Sequence, residues 1–214
     1  MKKALAFFLM WFFIIISTGY AQEAEGDSED SEAGPDEGAQ ADWYGEMPSL
    51  YSLGDKTFTI SLGLTFPTVF IHNGKVVESN LTPPLGGIGC LGFNLFLDPH
   101  FFLGAEIGGQ FNPTLAKNTL YIVPIGLRAG YQFIIWRIEI PLTLVAGIAP
   151  QTFLNEGYFG FFLKGGASAY YRFNPDWSFG IDFSWSWFPQ WTRVPEHNMD
   201  GNFFNLILAA RYHF

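Results

Sequence analysis

The chain has 214 residues and a single cysteine, Cys90, so it holds one sizeable domain and no internal disulfide. Aromatic residues make up 19% of it and charged residues only 14%, and its net charge of −9 comes largely from one stretch near the start. Lys and Arg cluster nowhere beyond Lys2 and Lys3, which excludes a nucleic-acid partner.

Taken in order, Lys2 and Lys3 precede an apolar run from Ala4 to Ile16, and Gly19 and Ala21 supply small residues at a cleavage position. The run is shorter than the roughly 20 residues that a membrane-crossing helix needs, so it predicts a secretory signal peptide over 1–21. Residues 22–54 begin with a block rich in Glu, Asp, Gly, Ser and Ala that has no Lys or Arg up to Asp42. Such a block buries too little apolar area to offset its ordering entropy, which predicts an acidic disordered periplasmic segment acting as a solvated spacer.

From residue 55 the hydrophobic period becomes two. Phe58, Ile60, Leu62, Leu64 and Phe66 alternate with Thr57, Thr59, Ser61, Gly63 and Thr65, the pattern of a strand with unlike faces. The pattern recurs through Leu91–Leu97, Phe101–Phe111, Tyr121–Phe133, Ile138–Ile148, Phe159–Tyr171, Trp177–Trp187 and Phe204–Phe214. That makes eight candidate strands of a length suited to crossing a hydrocarbon layer at a tilt. Short links at Asp98–His100, near Ile135 and at Asn174–Asp176 alternate with long ones at His72–Pro84, Asn112–Asn118, Pro150–Gly157 and Phe188–Gly201. Residues 55–214 are therefore expected to form a single closed antiparallel up-and-down transmembrane β-barrel, all-β, with both ends on the short-turn side.

Energy assigns the faces. A mid-bilayer Arg or Lys facing lipid costs up to roughly 2–4 kcal/mol, so Glu106, Arg128, Arg137, Glu139, Lys164, Arg172, Asp182 and Arg211 are expected to point inward as a polar lumen cluster. The opposite face is almost free of charge, which a water-exposed sandwich would not tolerate over so large an area. Aromatics near the strand ends, among them Phe58, Trp136, Tyr171 and Phe214 at one level and Phe66, Phe70, Tyr121 and Phe204 at the other, predict two interfacial girdles.

Leu208, Ala210, Tyr212 and Phe214 alternate to a terminal Phe, and this ending resembles the assembly signal of outer-membrane β-barrel proteins. Residues 57–214 are similar in layout to the small eight-stranded barrels, namely the OmpA transmembrane domain, OmpX and OmpW. The resemblance implies a bacterial outer-membrane location, surrounding outer-membrane lipids, and insertion by the barrel-assembly machinery. It further implies a narrow OmpW-like channel or receptor for small hydrophobic molecules. The apolar upper-lumen positions Ile122, Pro124, Val145, Phe162 and Ile207 fit a hydrophobic cup for that role.

The alternative is a non-conducting structural or adhesive barrel whose outer loops bind an external partner. The stretch from Pro189 to Pro195, with Trp191 and Arg193, is the candidate anchor for one. An eight-stranded interior is narrow enough for side chains to fill it, which favours a polar core over an open pore. His72, His100, His197 and His213 show no metal-ligand or triad spacing, so no catalytic residue, metal or cofactor is expected and the chain does not read as an enzyme.

Overall fold

The computed structural model describes residues 51–72, 74–77, 84–113, 119–153, 156–190 and 199–214. The expected signal peptide, the acidic block and the loop tip around Trp191 lie outside the described residues. The strands are β1 (Lys56–His72), β2 (Lys75–Val77), β3 (Gly86–Phe96), β4 (Phe101–Pro113), β5 (Thr119–Ile122), β6 (Ile125–Ile135), β7 (Ile138–Phe153), β8 (Glu156–Arg172), β9 (Trp177–Gln190) and β10 (Met199–His213).

These ten segments form one antiparallel sheet that closes on itself as eight staves. β5 and β6 are one stave, because both pair with β4 on one side and with β7 on the other. The break between them falls at Val123 and Pro124. Pro124 has no N–H to give, but its carbonyl accepts from the Gly108 amide at 2.8 Å, while Val123 N donates to Pro150 O at 2.9 Å. β2 pairs only with β1 and extends its upper end. The ring is sealed by β1 against β10, in register from Thr57 with His213 to Phe66 with Phe204. A sheet closed in this way leaves no edge among its staves.

Both chain ends of the barrel and its three short turns share one rim, called lower here. Lys56 N donates to Phe214 O and Phe214 N donates to Lys56 O, each at 3.1 Å. In the first turn, Asp98 Oδ1 accepts from the amides of His100 and Phe101 at 2.7 Å each. Those two amides hold the Asp98 carboxyl below the usual carboxylate range. Asn174 Oδ1 does the same in the last turn, accepting from Asp176 N at 3.0 Å and Trp177 N at 2.7 Å.

The period-two pattern sorts the side chains. Leu62 is 69% exposed and Leu127 76%, with Leu142, Phe183 and Leu208 exposed on other staves. Between the two rims, no outward strand position among the described residues is Asp, Glu, Lys or Arg. A water-soluble fold does not carry an apolar belt of that extent, whereas a barrel in lipid requires one.

Three local readings of the sequence are corrected. The alternation read from Phe58 to Phe66 does not keep its phase to the expected link at His72, because β1 (Lys56–His72) carries a bulge between Pro67 and Val69. The bulge is held by Asn202, whose carbonyl accepts from Thr68 Oγ1 at 2.9 Å and whose amide donates to Val69 O at 3.1 Å. One extra residue reverses the face, so Phe70 enters the lumen and leaves the outer girdle. The expected long link at Pro150–Gly157 is instead a hairpin in which Phe153 pairs with Glu156. Pro150 fails to stop the strand because its carbonyl still serves the neighbouring stave. Finally, Tyr51 to Gly54 belong to the barrel: Gly54, at φ +98°, donates its amide to Phe96 O at 2.9 Å.

Candidate functional site

The lumen is the place where chemistry-bearing side chains converge, and it is filled in layers. In the lower layer Glu139 of β7 is fully buried and accepts from Tyr51 OH at 2.8 Å and from Arg211 Nη1 at 3.0 Å, with Arg172 Nη1 at 3.4 Å. Arg211 Nη1 also donates to Gln132 Oε1 at 2.9 Å, and its guanidinium lies 3.9 Å from the centre of the Tyr170 ring. The carboxylate and guanidinium come from β7 and β10, so the pair braces separate staves across the interior.

Tyr51 closes this layer from below. It is 1% exposed, stacks on Phe96 with centroids 3.9 Å apart, and has the Arg172 guanidinium 5.3 Å from its ring centre. Burial pushes its phenol pKa above the ordinary value, so the hydroxyl keeps the proton that it gives to Glu139. His213 Nδ1 lies 3.1 Å from the same hydroxyl, and Nε2 lies 2.7 Å from Ser178 Oγ. With the phenol proton committed to Glu139, the consistent assignment has Nδ1–H donating to Tyr51 and Nε2 accepting from Ser178.

A serine beside an imidazole has the parts of a nucleophile and its base. Here Ser178 is fully buried, and its register partners are Arg172 and Arg211. Its Oγ is committed to His213 Nε2 inside the polar network around Glu139, and at zero exposure it is shielded from any substrate carbonyl.

The middle layer centres on Glu106 of β4. Lys164 Nζ of β8 donates to Glu106 Oε1, and Arg128 Nη1 of β6 stands 3.6 Å from Oε2. Asp182, half-buried on β9, accepts from Ser168 Oγ at 2.7 Å. Among the described residues, two of the three inward carboxylates, Glu106 and Glu139, are thus met by the four inward cations, as charges withdrawn from water need. Arg137 stands apart from the expected cluster. Ile135 and Ile138 are the last pair of their hairpin, so the alternation ends there and Arg137 sits in the turn, donating from Nη1 to the outward Tyr171 hydroxyl at 3.3 Å.

The upper layer is aromatic. Ile122, Val145 and Phe162 lie there packed with Phe70, Leu120, Ala149, Phe188 and Phe203 into one buried cluster. Phe162 stacks on Phe188 at 5.8 Å, and Phe203 meets Phe188 and Phe70 edge-on, each at 5.7 Å. Ile207 joins Ile88 and Cys90 lower down, and Pro124 is buried on β4's side of the wall. The space beside the cluster is about 20 Å³. A drug-sized ligand needs several hundred. The expected hydrophobic cup is thus filled by the protein's own rings, chiefly because the β1 bulge adds Phe70 and the inward positions of β9 and β10 add Phe188 and Phe203.

Leu208 and Tyr212 on β10 face outward, Phe214 just beyond the strand is exposed, and Ala210 is half-buried. Tyr212 packs against Trp177 at 5.0 Å and stacks on Phe214 at 5.8 Å. Tyr51 and the Ser178–His213 pair escaped the sequence reading. Tyr51 stands between the acidic block and the first strand, where neither a period of two nor a motif marks it as buried.

A protein-family model matches residues 39–212. Two uncharacterized proteins of Treponema pallidum (strain Nichols) are similar to the chain, one 30% identical over 61% of the chain and 60% of its own length, the other 32% identical over 47% and 38%. The chain therefore spans less than two thirds of these relatives. Among solved structures, Neisserial surface protein A is similar in fold, with a TM-score of 0.56 at 10% identity over 75% of this chain and 97% of that one.

Proposed function

Since the chain belongs to the family whose model spans residues 39–212, nearly all of the described barrel, we propose that it is an integral, non-conducting barrel of the bacterial outer membrane. One observation supports this reading: among the described residues, side chains reach across the lumen at three levels, with Tyr51 below, the Glu106–Lys164–Arg128 bridge midway and the Phe70–Phe162–Phe188–Phe203 cluster above. A channel or a receptor for small hydrophobic molecules needs a continuous path or a cup, and both are occupied by side chains. The protein's work then falls to its rims and its outer loops, with the barrel as their anchor.

In this reading residues 1–21 direct export, the acidic N-terminal segment and the C-terminus are periplasmic, and the barrel-assembly machinery reads Leu208, Ala210, Tyr212 and Phe214. The apolar belt and the fold of Neisserial surface protein A support the membrane placement. The test joins gel mobility of the folded protein before and after boiling to single-channel recording in planar bilayers. A heat-dependent shift without discrete conductance is expected. Discrete conductance steps would return the channel reading, and absence of a shift would remove the transmembrane barrel.

A further inference from the structure

The turn between β6 and β7 pairs a strained backbone with an exposed ring. Ile135 and Ile138 close the hairpin, leaving Trp136 and Arg137 as its two loop residues. Trp136 has φ 56°, the one non-glycine at positive φ among the described residues. Two-residue hairpins place Gly, Asn or Asp at such positions, because a bulky side chain there crowds its own backbone. Burial does not offset that cost, since the indole is 66% exposed. Strain kept without a packing return points to something the ring meets outside the protein.

What stands beside the ring is a cation. The Arg137 guanidinium lies 5.6 Å from the Trp136 ring centre, and Nη1 donates to Tyr171 OH at 3.3 Å. The indole and the phenol thus hold a planar guanidinium at the lower rim, where the rings of Phe133 and Phe173 are also exposed. The other two short turns carry Asp98 and Asp176 instead, so the cation belongs to this turn alone among the three. A guanidinium has five N–H donors in a fixed fork that matches a phosphate, and can serve neighbours and a phosphate oxygen together. Trp prefers the boundary between hydrocarbon and headgroups, where one end is apolar and the other wet.

We propose that Trp136, Arg137 and Tyr171 form a seat for the phosphodiester of an anionic glycerophospholipid in the leaflet that meets the lower rim. The indole fixes the depth of the turn in the membrane, and the guanidinium, oriented by the indole face and Tyr171, takes the phosphate. This rests on the membrane-spanning reading above and adds a specific lipid contact to it. The occupant is argued from continuity with the apolar belt on one side and the positive charge on the other.

The test is native mass spectrometry of the folded chain released from detergent containing equal amounts of phosphatidylglycerol and phosphatidylcholine. The wild type should retain phosphatidylglycerol preferentially. Arg137→Gln should lower that preference about fivefold, the worth of one arginine at an anionic membrane surface. Arg137→Lys, which keeps the charge without the flat fork, should fall between them, and it stands in if Arg137→Gln does not fold. Trp136→Gly relieves the positive φ, so it should raise the unfolding midpoint while lowering phosphatidylglycerol retention, a pairing that a purely structural tryptophan would not give.

Equal retention of the two lipids by Arg137→Gln and wild type would overturn the seat. Retention abolished by competing inorganic phosphate would overturn the lipid as its source. If the wild type shows the boiling-dependent mobility shift but no lipid preference, only the seat fails. If it shows no shift, the barrel reading fails with it.

Discussion

The lower half of the lumen is ion-paired, with Glu139 held by Arg172 and Arg211 and Glu106 by Lys164 and Arg128, whereas the upper half is packed from phenylalanine and aliphatic side chains. Both halves fill the same narrow tube with side chains. They differ in what a single substitution does. An ion pair withdrawn from water is costly to assemble and far costlier to half-dismantle, because the remaining partner keeps its charge with nothing to oppose it. A ring cluster loses only the transfer and cavity terms of the group removed, and neighbours can relax into the gap. The paired layers therefore fix which staves face each other, and the aromatic layer fixes how tightly they close.

The sharpest way to break that contrast is Glu139→Gln, which leaves Arg172 and Arg211 facing one another without a carboxylate. A loss of about 4 kcal/mol is expected, read from the urea midpoint of the folded band in detergent. Phe203→Ala, in the aromatic layer, should cost about 3 kcal/mol by the same measurement. It should produce no conductance, because the Glu106 bridge still spans the bore beneath it. Conductance from Phe203→Ala alone would show that the middle layer is no barrier.

Tyr51→Phe keeps the ring stacked on Phe96 but deletes the donor to Glu139, and about 2 kcal/mol should be lost, as for a hydrogen bond to a charged group. Its pH dependence has a definite sign. The folded phenol pKa is raised above its ordinary value of 10.0, so the stability it contributes is complete below pH 10 and falls as pH rises beyond it. The variant should lack that alkaline decline. The smallest effect expected is for Asn202→Ala, which removes the side-chain bond to Val69 O at the β1 bulge and the exposed one from Trp185 Nε1, and should cost about 1 kcal/mol.

Much of the architecture is legible in the residues because a barrel in lipid leaves the chain little freedom. Alternation from Phe58 to Phe66 or from Trp177 to Trp187 admits one face for water-avoiding groups, and the inward placement of Glu139, Lys164 and Arg211 follows from the cost of the alternative. What the pattern hides is any event that changes its phase. The bulge at Pro67–Val69 turns Phe70 from a girdle residue into a lumen residue, and nothing in the local composition announces it. Pro150 reads as a strand breaker, yet the pairing partner needs its carbonyl and not an amide. Arg137 reads as inward by parity, but parity ends where the hairpin turns. Tyr51 is held by Glu139 and Phe96, partners 88 and 45 positions away, a distance at which no periodicity operates.

The seam between β1 and β10 joins residues separated by almost the whole described chain, since Thr57 lies opposite His213. A loop that long is closed late, after its entropy has been spent on everything between. Until then each terminal strand presents an open ladder of amides and carbonyls to whatever is nearby. β10 thus acts as a completeness check: a barrel cut short by even one strand has no way to retire its first, and stays sticky, unzipped and open to proteolysis.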